Sequence, residues 1–206
     1  MRTPRRGRPP VHDREELLAS ASEMLLVRGY TGLRYQDVAE STGVAIASLR
    51  HYFPTVAGLR KDALRHLVRA ELADLERTVF GTEEPWEQMH RFLEASITPN
   101  SEQRRAGWIM WVEFWRAAAH DPELEAESRQ VDREWRAVAK RCIEAGVARG
   151  EFHLDQSSAA AAREVYALID GNGHWLALEH SDEEADMLVT GLKRAVRRML
   201  TATNHT

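Results

Sequence analysis

The sequence of 206 residues predicts an all-α protein. Three observations support this prediction. Apolar residues recur three or four positions apart through successive segments, which is the spacing of amphipathic helices. Glycine, proline and capping residues separate these segments. Residues 35–53 have the pattern of two short helices joined by a tight turn. Together the segments predict about nine helices, in a three-helix amino-terminal part followed by a larger helical bundle.

Residues 1–10 contain four arginines and three prolines and almost nothing that a core could bury. We therefore expect a disordered basic arm at this end of the chain. Its run Arg6-Gly7-Arg8-Pro9 resembles the core of AT-hooks, in which arginines lie in the narrow minor groove of A·T-rich DNA. Arg6 and Arg8 are thus candidate DNA contacts, and a solvated tail is the alternative.

The first predicted helix runs from His12 to Gly29. Acidic residues in its first turn suit the positive end of a helix dipole, and Gly29 should end it. Its inner face is formed by apolar residues at helical spacing, namely Leu17, Leu18, Ala21, Met24 and Leu25.

The stretch 35–53 predicts a helix-turn-helix. Val38 and Ala39 fall on the inner face of its first helix, and Gly43 can adopt the positive φ that the turn requires. Val44 and Leu49 then return to the core. The second helix presents a polar outer face that fits a major groove, formed by Ser48, Arg50 and His51 beside the small Ala45 and Ala47. A purely structural corner between two helices is the alternative.

Six further helices are predicted after Phe53-Pro54. The first of them, about 59–79, would connect the amino-terminal part to the bundle. Residues 106–119 are apolar nearly all round, which predicts a helix in the middle of the bundle. The other predicted spans are 86–97, 122–149 ended by Gly150, 159–178 capped by Ser157 or Ser158, and 183–200 capped by Asp182. The last four residues should fray.

The charge is distributed unevenly along the chain, although the net charge is only −4. Residues 1–70 hold 12 Lys or Arg against 7 Asp or Glu, a net charge of +5, and the remaining residues hold 16 against 25, a net charge of −9. A basic end attached to an acidic body favours binding of DNA through the amino-terminal part.

Several functional classes find no support in the sequence. It has neither a long apolar run nor the apolar segment of a secretory signal, so we expect a soluble, cytoplasmic protein without a membrane partner. Cys142 is the single cysteine, and no residues stand at metal-ligand spacing. No phosphate loop or nucleophile elbow is present. We therefore predict no catalytic residue, no metal and no cofactor.

The amino-terminal sequence resembles the TetR family of bacterial regulators. The resemblance extends over about fifty residues and rests on Ala21, Gly29-Tyr30, Asp37-Val38-Ala39, Gly43-Val44, Ser48-Leu49, Tyr52-Phe53 and Leu59. Three positions depart from the family pattern, since Ala45 replaces a capping serine, Arg50 a tyrosine and Val56 a lysine. The run Ala167 to Gly171 is similar to the betaine-regulator-like branch of the family.

The resemblance implies a helix-turn-helix DNA-binding domain at 11–57 and a ligand-binding and dimerisation domain at 58–206. It implies a homodimer formed by the last two helices and DNA contacts from Arg34, Tyr35, Gln36, Ala45, Ile46, Ala47, Ser48, Arg50, His51, Tyr52 and Lys61. Arg50 can donate two hydrogen bonds to guanine, which the usual tyrosine cannot do.

A regulator of this kind needs a ligand site, and the aromatic residues of the bundle are the best material for one. The candidates are Trp108, Trp111, Phe114, Trp115, Trp135, Tyr166 and Trp175, with Glu113 and Asp170 as polar groups. Aromatic faces beside a carboxylate predict an organic cation as the ligand. The alternative is that these rings only fill the core.

The sequence thus predicts a homodimeric, DNA-binding transcriptional regulator, a repressor that a small molecule releases from its operator. Two alternatives remain open. One is an activating or architectural DNA-binding protein that senses no ligand and has a fully packed body. The other is a helical enzyme that acts on small molecules.

Overall fold

The computed structural model describes residues 13–97, 101–178 and 181–201, and the predicted basic arm 1–10 lies outside these ranges. The described residues form nine helices and no strand. The helices are α1 Arg14–Arg28, α2 Tyr35–Thr42, α3 Ile46–Tyr52, α4 Val56–Val79, α5 Pro85–Ser96, α6 Ser101–Ala118, α7 Pro122–Ala148, α8 Ser158–Leu178 and α9 Asp182–Leu200. The predicted all-α class is confirmed, with a three-helix amino-terminal part (α1–α3) and a larger bundle (α5–α9) joined by α4.

The amino-terminal part is held by local signals that the sequence contains. The Asp13 side chain caps α1 by accepting a hydrogen bond from the Glu15 amide at 3.0 Å. Gly43 ends α2 at φ 71°, and its amide donates to the Ala39 carbonyl, so the turn has the left-handed conformation that glycine adopts without strain. Val44 and Leu49 are buried, as their spacing predicts.

Helix α4 connects two hydrophobic clusters. Leu59 and Leu64 on its first half belong to the amino-terminal cluster, which also contains residues of α6 and α7, whereas Leu75 and Val79 belong to the bundle cluster. The helix begins at Val56, earlier than the predicted 59, because the Thr55 hydroxyl caps it by accepting from the Gly58 amide. One helix therefore contacts both parts of the molecule.

The bundle is organised around α6 and α8. Helix α6 packs on α7 and α8, while α8 also packs on α7 and α9. Helices α6 and α8 contact each other at Gly173, where an added Cβ would lie 2.1 Å from the Trp108 ring. Glycine at this position therefore leaves the space that the Trp108 indole occupies next to α8.

In the bundle, most helices begin and end within a few residues of the predicted positions. One helix, α9, has a different capping residue from the one predicted. Gly150 adopts φ 72° just after the end of α7, and Ser157 accepts a hydrogen bond from the Ala160 amide at the start of α8. Helix α9 is capped by Ser181, whose hydroxyl accepts from the Glu184 amide, and the predicted cap Asp182 is its first helical residue. No helix in the described ranges is long and apolar enough to cross a membrane.

Candidate DNA-binding surface and ligand cavity

The outer surface of α2 and α3 carries most of the predicted DNA contacts. Ala45, Ala47, Arg50 and His51 are exposed on or just before α3, and Ile46, Ser48 and Tyr52 are half-buried. Arg34 and Gln36 are exposed at the start of α2. The Arg50 guanidinium lies 5.7 Å from the centroid of the Tyr35 ring, a cation–π distance that can orient the guanidinium.

Two predicted contact residues make internal interactions. Tyr35 is only 8% exposed, and its hydroxyl donates to the Phe53 carbonyl, so this residue joins the start of α2 to the end of α3. Lys61 pairs with Glu123 at the start of α7. Its position on α4 directs the ammonium group toward the bundle, where it neutralises a carboxylate. Arg6 and Arg8 lie outside the described residues.

A cavity of about 270 Å³ lies inside the bundle and is bounded by α4, α5, α6, α7 and α8. It gathers six of the nine predicted ligand residues, Trp108, Trp111, Trp115, Trp135, Tyr166 and Asp170. Trp115 lies in the middle of a row of indoles, with its ring centroid 6.3 Å from Trp108 and 6.2 Å from Trp111. The cavity wall is therefore partly aromatic, and the faces of these rings can attract a cation.

Three acidic residues line the cavity, Glu71 and Asp74 on α4 and Asp170 on α8, and burial raises the pKa of two of them, Asp170 and Glu71. Burial raises the pKa of Asp170 on α8 to about 7; Asp132 adds to the shift and Arg136 opposes it. Burial alone raises the pKa of Glu71 on α4 to about 7. Glu71 is half-buried and lines the cavity. A cation in the cavity would favour the ionised form of both groups.

Asp132 and Tyr166 form a polar contact next to Asp170. The Tyr166 hydroxyl donates to the Asp132 carboxylate, and Arg136 lies close enough to lower the pKa of both aspartates. Burial nevertheless raises the pKa of Asp132 above its ordinary value. Among the described residues, no three His, Cys, Asp or Glu side chains are grouped in a way that could hold a metal ion.

The other three predicted ligand residues lie outside the cavity, because helix geometry turns them to other faces. Trp175 is five residues beyond Asp170 on α8, and its side chain is 61% exposed on the surface of the bundle. Glu113 lies between Trp111 and Trp115 in sequence and therefore on the opposite side of α6. Phe114 is fully buried in the amino-terminal cluster.

Glu113 and Phe114 instead join α6 to the loop between α1 and α2. The Glu113 carboxylate accepts hydrogen bonds from the Thr31 amide at 3.0 Å and the Thr31 hydroxyl at 3.1 Å. It packs so closely on Gly29, at φ 73°, that an added Cβ would lie 2.5 Å from a carboxylate oxygen. The Phe114 ring meets the Tyr30 ring edge-on, at 5.4 Å between centroids. The helix that forms the aromatic wall therefore also contacts the amino-terminal part.

The residues that α4 contributes to the cavity were missed by sequence reasoning. Glu71 lies on the inner face of α4, in register with the buried Leu64, Val68, Leu75 and Val79. A glutamate within an apolar stripe of this spacing is the signal that could have identified it. Arg104 at the start of α6 was missed as well. This residue is 6% exposed, lines the cavity and pairs with Asp182 at 3.7 Å.

Comparison with known proteins identifies the family. The family model described as the carboxy-terminal part of BetI-type transcriptional repressors matches residues 85–201, more than half of the chain. The chain is 25% identical over 170 residues to the HTH-type transcriptional regulator BetI of Stenotrophomonas maltophilia, covering 82% of each protein. It is also 25% identical over 147 residues to the HTH-type transcriptional repressor KstR2 of Mycolicibacterium smegmatis, covering 71% of this chain and 70% of that protein.

Solved structures share the fold. A transcriptional regulator from Saccharomonospora viridis in complex with choline matches with a TM-score of 0.80 at 22% identity, over 92% of this chain and 98% of that one. A TetR transcription regulator from Haloarcula marismortui matches with a TM-score of 0.74 at 19% identity, over 90% and 95% of the two chains. The matching proteins are transcriptional regulators, which excludes the enzyme alternative. This chain belongs to the TetR family of transcriptional regulators, with a carboxy-terminal part of the BetI type.

Proposed function

We propose that this DNA-binding repressor is a homodimer that leaves its operator when an organic cation occupies the bundle cavity. The observation that carries the proposal is the composition of the cavity wall, in which three indoles and the half-buried Asp170 line the same space. An activating or architectural protein without a ligand would need no such cavity. We further propose that the protein acts in the cytoplasm.

The cavity chemistry favours a cation over a neutral or anionic ligand. Indole faces attract positive charge through the ring quadrupole, and the attraction is strongest where water is excluded. Asp170 makes no hydrogen bond or ion pair among the described residues, so a cation would compensate the hydration that its carboxylate loses on burial. The Saccharomonospora viridis regulator of the same fold holds choline, a quaternary ammonium ion. Choline is therefore our first probe for this protein.

For operator binding we propose that α3 lies in the major groove. Arg50 would donate two hydrogen bonds to a guanine, while Gln36 and His51 would contact neighbouring bases or phosphates. Ala45 and Ala47 allow a close approach because their side chains are small. Tyr35 would act by holding α2 against α3, and Arg6 and Arg8 would contact an adjacent minor groove.

For the dimer we propose a seam formed by α8 and α9. Trp175, Leu178 and Met187 are large apolar side chains that are about 60% exposed on these two helices. Leu168, Leu188 and Gly191 line a shallow groove between Trp175 and Met187. An apolar surface of this kind is stabilised when a second copy covers it, and a two-fold dimer would present two α3 helices to successive major grooves.

The same structure suggests how the cavity and the operator communicate. Helix α6 carries the three indoles on one side and Glu113 on the opposite side, and Phe114 contacts both Trp111 and Tyr30. A shift of α6 around a ligand would therefore displace the Thr31 loop between α1 and α2. Helix α4 gives a second route, since Glu71 faces the cavity and Leu59 packs in the amino-terminal cluster.

The proposal is tested by titrating choline into the purified dimer and following tryptophan fluorescence. Choline should quench the fluorescence of the native protein, and Asp170→Asn should weaken choline binding at least about tenfold, since the variant removes the charge that faces the cation. The control is Asp155→Asn, at an exposed aspartate in the loop before α8.

In parallel, the operator is selected from random DNA, and the affinity of the protein for this operator is measured with and without choline. Equal operator affinities at saturating choline would refute release by this ligand.

A further inference from the structure

The cavity has a second carboxylate that one cationic group does not account for. Glu71 lies on α4, which packs on α1, α5 and α7, whereas Asp170 lies on α8, which packs on α6, α7 and α9. The two carboxylates thus line the cavity from helices that are not close neighbours. Neither carboxylate contributes to the pKa shift of the other, which agrees with a wide separation. A single small cation at Asp170 would therefore leave Glu71 uncompensated.

The charged groups around the cavity leave two carboxyl groups, Glu71 and Asp170, without a direct partner among the described residues. Arg104 lines the cavity and pairs with Asp182, and Asp74 at the same wall pairs with Arg77. Beyond the wall, the positive charge of Arg136 offsets the negative charge of Asp132. In the part of the chain that the structure describes, Glu71 makes no hydrogen bond or ion pair, and no charged neighbour contributes to the pKa shift of its carboxyl group.

A buried carboxylate that faces a cavity without a partner is costly unless a ligand supplies positive charge. A hydroxyl group could donate one hydrogen bond to Glu71, but it would leave the negative charge in place. A second ammonium group satisfies both the charge and the hydrogen-bonding capacity of the carboxylate. The row of indoles at Trp108, Trp115 and Trp111 supplies an apolar wall along which a hydrocarbon chain could lie between two such groups.

We propose that the effector is an organic dication, with one ammonium group at Asp170, a second at Glu71, and an alkyl chain between them along the indole row. This inference rests on the proposed function, in which the cavity takes an organic cation. The second ammonium group binds to α4, the helix whose first half packs in the amino-terminal cluster. Glu71 therefore favours ligands whose two ammonium groups have the right separation. It also places one end of the ligand against α4, the helix that packs on the DNA-binding part.

The test uses the full-length dimer and terminal alkyl diamines as probes, from propane-diamine to octane-diamine, each compared with the monoamine of the same length. Binding is measured by calorimetry and tryptophan fluorescence. One diamine length should bind at least about tenfold more tightly than its monoamine. Glu71→Gln should reduce that diamine to the affinity of the monoamine without changing the monoamine. Asp170→Asn should weaken both compounds.

The control variant is Glu76→Gln, five residues along the same helix, where the carboxylate is exposed and pairs with Arg141. It should leave the diamine preference intact. If choline and monoamines bind but no diamine binds better, or if Glu71→Gln keeps the preference, the dication proposal is overturned and the proposed function stands. If neither choline nor any amine binds, the cation class itself fails, and with it both proposals. Thermal unfolding of each variant separates loss of binding from loss of folding.

Discussion

Replacing Glu71 by Gln should stabilise the free protein at pH 8 and leave its stability nearly unchanged at pH 4. Burial raises the pKa of Glu71 from 4.5 to about 7 in the folded protein. Below pH 4.5 both the folded and the unfolded chain hold the proton, so the group contributes no difference. Between pH 4.5 and about 7 the unfolded chain loses the proton while the folded chain keeps it. The stability of the native protein therefore falls as the pH rises through this window.

The expected size of this effect follows from the same shift. A carboxyl pKa that rises from 4.5 to about 7 lowers the free energy of unfolding by about 3 kcal/mol once the pH exceeds 7. Glutamine has nearly the same shape and does not titrate, so Glu71→Gln should recover much of this energy. Asp170 contributes a similar pH dependence, which the variant retains.

The measurement is urea unfolding of the native protein and of Glu71→Gln at pH 4, 6 and 8, at one fixed protein concentration because a dimer is studied. The exposed Glu76→Gln serves as the control and should show the same small difference from the native protein at pH 6 and 8. A Glu71→Gln protein that is less stable than the native protein at pH 8 would refute the reasoning, since it would mean that the ionised carboxylate has a stabilising partner.

Three further predictions concern the DNA-binding surface, the seam and the coupling. Arg50→Ala should cost about 1–3 kcal/mol of operator binding and relax the preference at one base pair, and equal weakening on all sequences would contradict a base contact. Met187→Glu should give monomers in light scattering while the control Val147→Glu stays dimeric, and a dimeric Met187→Glu protein would exclude the proposed seam. Glu113→Ala removes two hydrogen bonds to Thr31, each worth about 1.5–3 kcal/mol when charge-assisted. It should bind choline normally but release DNA poorly, and full release would contradict the α6 route.

The helices could be predicted from the sequence because their determinants are local. Apolar spacing, Gly43 at the turn and Ser157 at a helix start operate within a few residues of chain, and the structure places them accordingly. The sequence predicts Asp182 as the cap of α9, one residue after the observed cap Ser181, because aspartate and serine are both good capping residues and stand side by side here. The family resemblance at the amino terminus is recognisable for the same reason, because its motif residues all lie within one segment of about fifty residues.

The cavity could be predicted only in part, because it depends on which faces of five helices meet. An apolar segment such as 106–119 indicates burial but does not show which side faces a cavity and which faces another part of the molecule. Trp111 and Glu113 were therefore assigned to one site, whereas the structure places them on opposite sides of α6. Glu71 was overlooked for the converse reason, since it interrupts an otherwise apolar stripe on a helix that was interpreted as a connector.

The position of α6 explains why a ligand in this cavity can act on DNA binding. Occupancy alone changes nothing, because a ligand shifts a conformational equilibrium only by the difference between its affinities for the two states. A tenfold loss of operator affinity needs about 1.4 kcal/mol of such a difference. The hydrogen bonds from Thr31 to Glu113 have an energy of this order, and they lie on the opposite side of the helix that carries Trp111 and Trp115. If these hydrogen bonds transmit a ligand-induced shift of α6 to the Thr31 loop, then operator DNA must weaken ligand binding by the same factor.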